Sequence, residues 1–248
     1  MKFLHSLNIL PVYRISEGAE NLNTNYETFA KCRDIFRENG IVLIFSEGLC
    51  INEWKLRSLK KGTARLAFSS WQDGINLTVL PVGINYNSFK SFGKNVHLNF
   101  GTPFGKNSFE HQSGDGNGIK AFNEKLKNEL IPLVEVIEHH EKEKIKSVFE
   151  VKHHPLKKNT LYLPGVIGKL LHAPIYYPLE KFTRKKAGKS DHYDSILVGL
   201  LFLTYPLYLT VLAITLYWWL GSWYWLLTFI ALPIMAWSYL QLRRPYKS

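Results

Sequence analysis

Ile41-Val-Leu-Ile-Phe-Ser-Glu-Gly48, followed after five residues by Trp54-Lys-Leu-Arg-Ser-Leu-Lys-Lys-Gly62, decides how this chain reads. The first five residues are apolar and rich in β-branched side chains, the pattern of a buried strand. The run then meets a loop with one carboxylate, one glycine and a group of cations. Open α/β sheets place their ligand sites at the C-terminal edges of strands. An arginine and two lysines at such an edge fit an anionic substrate, most simply a phosphate.

Two flanking segments repeat the theme. Upstream, Leu7-Asn-Ile-Leu-Pro-Val-Tyr-Arg14 is a short apolar run ending in a cation, and downstream Asn76-Leu-Thr-Val-Leu-Pro-Val-Gly83 is another strand with proline near its end. Proline donates no N–H and is confined to strand ends, edges and bulges. Strands are expected at 7–13, 41–45, 76–86 and 95–101, the last from the alternation of Val96, Leu98 and Phe100. Helices are expected from the capping-box pattern Thr24-Asn-Tyr-Glu27 to about Glu38, with Gly40 as the stop, from Lys60 or Lys61 to about Gln72, and over 118–138. In the last of these Phe122, Leu126, Leu130 and Leu133 share a face. Residues 105–117, rich in Gly, Ser and Asn, read as a mobile loop. This order of elements implies an α/β fold, a layered mixed sheet flanked by helices.

Pro11-Val-Tyr-Arg14, Phe45-Ser-Glu-Gly48 and Leu80-Pro-Val82 resemble, in order and spacing, the second, third and fourth motifs of the glycerolipid acyltransferase family, the glycerol-3-phosphate and lysophosphatidic acid acyltransferases. The resemblance covers residues 1–138. It implies that Arg14 grips the glycerol phosphate and that Glu47 and Gly48 position the acceptor. Ser46 stands where the family has proline, and Leu49 and Cys50 replace Thr-Arg, so Arg57, Lys60 and Lys61 are expected to supply the missing cation. The family's first motif, His-x-x-x-x-Asp, carries the catalytic base and its orienting carboxylate, and it does not occur in this sequence. The dyad is expected upstream of Met1, because Met1-Lys-Phe-Leu-His-Ser-Leu opens as if partway through a helix, without a signal-peptide layout. The implied activity is fatty acyl transfer from acyl-CoA or acyl-carrier protein to glycerol 3-phosphate or a lysophospholipid, with no metal or redox cofactor. The alternative is a catalytically inactive, lipid-phosphate-binding membrane protein that keeps the pocket.

Composition narrows the partners. The 248 residues carry a net charge of +11, from 31 Lys and Arg against 20 Asp and Glu, which favours lipid head groups or acidic substrates. Nucleic acid is the weaker match, because no aromatic-basic strand like that of a known binding module is present. Cys32 and Cys50 are too few for a disulfide framework and read as reduced thiols. His139, His140, His153 and His154 lack the partners of a zinc site. Ser46-Glu-Gly lacks the first glycine of a nucleophile elbow, and no Walker or dinucleotide-binding loop is present.

The C-terminal segment reads differently. No charged side chain occurs from Ser195 to Leu242, and one membrane span needs about 20 apolar residues. A transmembrane helical hairpin is therefore expected over 195–242, with helices near 196–218 and 223–241 and a turn at Leu220-Gly-Ser222. Trp218, Trp219, Trp223, Tyr224 and Trp225 form the expected interfacial belt at the turn. Arg184-Lys-Lys186 and Lys189 before it, with Arg243-Arg244 and Lys247 after it, put both ends of the hairpin and the acyltransferase-like domain on the cytoplasmic side. Between lies 139–194, a basic linker whose apolar part, Leu161 to Leu179, is interrupted by Lys169, His172 and three prolines. It reads as a surface-lying or re-entrant segment at the membrane interface, or else as a small packed helix pair.

Overall fold

The computed structural model describes residues 9–10, 12, 22–49, 51–109, 114–138, 140–150, 155–221 and 223–242, with residues 22–24 and 155 described by backbone only. Its elements are α1 (Leu22–Arg37), α2 (Lys61–Gln72), β1 (Val82–Tyr86), β2 (Val96–Phe100), α3 (Gly116–Leu130), α4 (Lys142–Phe149), α5 (Pro155–Ala187), α6 (Tyr193–Leu220) and α7 (Thr228–Leu242). Short 3-10 turns cover Lys106–Phe109, Ile131–Leu133 and Trp223–Leu227. The chain divides into two compact units, one of Met1–Leu49, Lys55–Ile84 and Leu98–Glu135, the other of Cys50–Trp54, Asn85–His97 and Val136–Ser248.

The described residues are mostly helical, and the layered mixed sheet is not formed among them: β1 and β2 make a two-stranded sheet. An antiparallel bridge from Val79 to Phe104 extends this hairpin, and Gly101 N donates to Pro81 O at 2.9 Å. The expected strand 76–86 therefore shortens to 82–86, with Pro81 buried at its entrance. Residues 41–45 belong to no strand among the described residues, and Ile41, Leu43 and Phe45 are exposed rather than buried. A β-branched run becomes a strand only through its partner's ladder. The strand expected at 7–13 lies largely outside the described residues; residues 9, 10 and 12 carry no strand.

In the first unit, α1 ends in a Schellman motif. Gly40 N donates to Ile35 O at 2.8 Å and Asn39 N to Phe36 O at 3.0 Å. The left-handed residue is Asn39 (φ 57°), not the expected Gly40. Arg33 Nε and Arg37 Nη2 lie 2.9 and 3.0 Å from the Asp73 carboxylate at the end of α2. Helices α2 and α3 bury one face each, Ala64, Ala67, Phe68 and Trp71 on one and Ile119, Phe122, Leu126 and Leu130 on the other. Phe104 and Phe109 complete an aromatic core in which Phe109 stacks on Phe122 with ring centres 5.6 Å apart. Asp115 caps α3 by accepting from Gly118 N at 2.8 Å. The helix expected to reach residue 138 stops at Leu130, because Pro132 cannot continue it, and tightens into a 3-10 turn.

The second unit has a smaller core of Trp54, Ile137, Ile145 and Phe149, with Phe89 and Val148 packed against it. Its hairpin loop buries Asn87, Ser88 and Ser91, and Ser88 Oγ accepts from Ser91 N at 3.1 Å. Two polar ties fix the entry to α6: Lys94 Nζ to Asp194 Oδ2 at 2.5 Å, and Asn52 N to Asp191 Oδ1 at 3.0 Å. Residues 155–187, expected as a surface-lying or re-entrant segment or a helix pair, form one helix with Pro164, Pro174 and Pro178 inside it. This α5 packs against both α6 and α7. Helix α6 and the stretch Trp223–Leu242 are long and apolar enough to cross a membrane, and only 17% of each apolar window is buried. A core helix of a water-soluble protein would be mostly buried.

Candidate functional site

The site anticipated from sequence lies in the first unit, where one turn meets one helix start. Phe45 to Gly48 closes a tight turn in which Gly48 N donates to Phe45 O at 3.1 Å. Gly48 has φ 64°, a region that glycine enters without strain, and a Cβ there would sit 3.2 Å from Lys60 Cγ. Lys60 N donates to Ser46 O at 2.7 Å, and the hydroxyls of Ser46 and Thr63 lie 2.9 Å apart. Two bonds thus hold the Ser46–Gly48 turn on the first residues of α2.

The start of that helix is electropositive. Lys60 occupies the N-cap position in an extended conformation and makes no side-chain cap bond. The first N–H groups of a helix lack intrahelical acceptors, and the aligned peptide dipoles place partial positive charge there. Lys60, Lys61 and Arg65 are exposed around it, and among the described residues Lys60 and Lys61 form no ion pair. Arg57 and Glu47 are half-buried, and each is already engaged by other groups. The arrangement can hold an anion between helix N–H groups and ammonium groups.

Of the six residues expected at the site, Glu47, Gly48, Lys60 and Lys61 come together through these bonds. Arg57 lies in the segment leading to Lys60, and Arg14 lies outside the described residues. Ser46 and Thr63 were not anticipated as partners. Ser46 read only as a departure from a proline, and Thr63 stands at the third position of α2, where a hydroxyl beside the free N–H groups was the available signal. The described residues hold no cluster of His, Cys, Asp or Glu able to bind a metal. His140 is among them, whereas His139, His153 and His154 lie outside. Cys32 is buried and unpaired, and burial pushes its thiol pKa up; Cys50 lies outside the described residues.

No curated protein and no solved structure matches this chain. Residues 1–85, which include the Phe45–Gly48 turn, α1 and α2, match the model of the family described as Acyltransferase, the family that the three motifs of the chain resemble.

Proposed function

We propose that this chain serves acyl transfer at a membrane, binding a glycerol-phosphate acceptor, glycerol 3-phosphate or a lysophospholipid, that receives a fatty acyl group from acyl-CoA or acyl-carrier protein. The family match supports acyltransferase function in general terms. The observation that carries the finer reading is the Ser46–Gly48 turn bonded to the start of α2 amid exposed Lys60 and Lys61. In this reading Lys60, Lys61 and the helix N–H groups neutralise the acceptor phosphate. Arg57 adds charge from the preceding segment, and Arg14 supplies a planar fork suited to two phosphate oxygens. Glu47 accepts from a glycerol hydroxyl and orients it, while Gly48 lets the backbone come close. Proton removal from the attacking hydroxyl requires a base of the His-x-x-x-x-Asp type, which does not occur in these 248 residues.

The apolar helices fit the same reading. Crossing the bilayer as a hairpin, α6 and Trp223–Leu242 hold the site at the surface where acyl chains and anionic head groups meet. The cationic residues beside α6 support a cytoplasmic side for its start and for the acyltransferase-like region.

Calorimetric titration of the full chain in lipid nanodiscs with glycerol 3-phosphate and with a short-chain lysophosphatidic acid tests this. Lys60→Ala with Lys61→Ala should weaken phosphate binding about tenfold or more, the equivalent of roughly 1.4 kcal/mol. Unchanged binding in that variant would sink the proposal. An acyl-CoA turnover assay on the same sample separates the two outcomes of acceptor binding. Turnover identifies an enzyme; binding without turnover supports the lipid-phosphate-binding reading.

A further inference from the structure

We infer that α5 is a third membrane-embedded element, which enters the bilayer beside the end of α7, turns at its prolines and leaves on the same side beside the start of α6. This rests on the reading of α6 and α7 as a hairpin crossing the membrane.

The outer face of α5 is largely apolar. One stripe, Leu161, Gly165, Gly168, His172, Leu179 and Thr183, is buried or half-buried. The opposite side exposes Tyr162, Leu163, Val166, Leu170 and Tyr177. A helix packed in water carries polar residues on its outer face; one apolar all round is enclosed by protein or lipid. Lys169 is the one cation within this stretch, and cations bound it on both sides, Lys157 and Lys158 before it and Lys181, Arg184, Lys185 and Lys186 after it. Lipid acyl chains flanked by anionic head groups match that distribution.

The contacts of α5 fall at two depths along the hairpin. Lys157 Nζ donates to Gln241 Oε1 at 2.7 Å, at the end of α7. At the other end of α5, Arg184 reaches Tyr193, the first residue of α6. Those two places belong to one end of the hairpin: Gly93 lies against Leu240 and lines a cavity with Asp194, Leu197 and Val198. The middle of α5 touches the hairpin further in. Gly168 packs on the backbone of Met235, His172 Nε2 lies 3.0 Å from Tyr205 Oη, and Tyr208 donates to Leu171 O. Tyr205 stands about 18 Å along α6 from Tyr193, at a rise of about 1.5 Å per residue. A straight helix would separate Lys157 from Arg184 by about 40 Å, end to end rather than side by side. Pro174 and Pro178 fall between the deepest contact, His172, and the return at Glu180, where missing N–H groups permit the bend.

Two ionisable side chains fall at the inner level: His172 engages Gly168 O at 2.7 Å through Nδ1 and Tyr205 through Nε2, and Lys169, though exposed, brings Nζ to 6.0 Å from the Tyr239 ring on α7. Intramembrane polar groups find partners in this way because lipid supplies none.

The test is single-cysteine mapping of the full chain in membrane vesicles of known sidedness, with Cys50→Ser and unaltered Cys32 as the blank. Lys158→Cys, Lys185→Cys, Leu170→Cys and Trp223→Cys are treated with a membrane-impermeant maleimide. The expected pattern is labelling of positions 158 and 185 from one side, of 223 from the other, and none at 170. Positions 158 and 185 labelled from opposite sides, with 223 opposite to 185, would make α5 a full span and overturn re-entry alone. Position 170 labelled as fast as 158 would make α5 a water-facing helix. Position 223 labelled from the same side as 185 would remove the crossing hairpin and the membrane reading with it. Impermeant amine labelling of the unaltered chain, read by mass spectrometry at Lys158 and Lys185, repeats the sidedness measurement without substitutions.

Discussion

Helices α2 and α6 obey opposite rules. In α2, Ala64, Leu66, Ala67, Phe68 and Trp71 are buried while Lys61, Arg65 and Gln72 face out, so one face carries the packing and the other meets water. In α6 the exposed residues include Phe202, Leu203, Leu207, Val211 and Trp218, and only Tyr193, Leu197, Leu209 and Ala213 are buried. The first helix is stabilised by hiding apolar surface from water against α3. The second leaves most of its apolar surface outside the protein, which is stable only where the surroundings are apolar as well. Hydrophobic content alone does not separate the two cases; its distribution around the axis does.

The comparison can be broken most directly by cutting one large side chain from each region. Phe122 is fully buried, and Phe122→Ala should cost about 3–5 kcal/mol of unfolding free energy, through lost transfer energy and the cavity left behind. Phe202 is 78% exposed, and Phe202→Ala in nanodiscs should fall within about 0.5 kcal/mol. Denaturant unfolding followed by near-ultraviolet circular dichroism measures both. A comparable loss at Phe202 would mean that α6 is covered by protein rather than lipid.

A polar substitution sharpens the contrast at the next scale. Tyr205→Phe removes the hydroxyl facing His172 and should lower thermal stability in nanodiscs by about 0.6–1.7 kcal/mol, the range for hydrogen bonds between membrane helices. In the water-facing region, Asp73→Asn removes the carboxylate shared by Arg33 and Arg37. It should cost roughly 0.2–1 kcal/mol per pair and fade as salt is added. A salt-independent loss there would mean the three side chains are less hydrated than their exposure indicates.

The smallest effect concerns pH. Lys125 donates to Glu129 at 3.0 Å, and this bond first, with further help from Thr102, holds the Glu129 carboxyl below the usual carboxylate range. A folded-state pKa below the unfolded one adds stability that is fully present above the unfolded pKa and is lost as pH falls through the folded one. Acid titration of the melting temperature should therefore show a slightly shallower decline in Lys125→Met than in the parent. An identical decline would remove the pair from the account.

Much of the helical structure was legible in local chemistry. Helix α2 follows its apolar spacing, and α6 and α7 their uninterrupted apolar runs, because a helix satisfies its hydrogen bonds within its own segment, whereas α1 begins at Leu22, two residues before the Thr24 expected to cap it. Pro132 was equally visible and ends α3 early for a local reason. The strand expected at 41–45 failed for the opposite reason: its ladder depends on a partner elsewhere in the chain, and no partner pairs with it among the described residues. At the candidate site, the positions of Glu47, Gly48, Lys60 and Lys61 came from sequence, whereas the Ser46–Thr63 contact joins residues 17 apart and needed the fold.

By itself, then, the sequence determined the charge balance, the two apolar helices, the three acyltransferase-like motifs and the cations beside them. Each is written in composition or in spacings within one helical turn or strand. The tertiary structure alone decided that the Phe45–Gly48 turn sits on the uncapped start of α2. It likewise decided which face of α5 meets Tyr205, Met235 and Gln241. Those outcomes depend on contacts between distant segments, whose closure entropy is offset only when the whole core assembles.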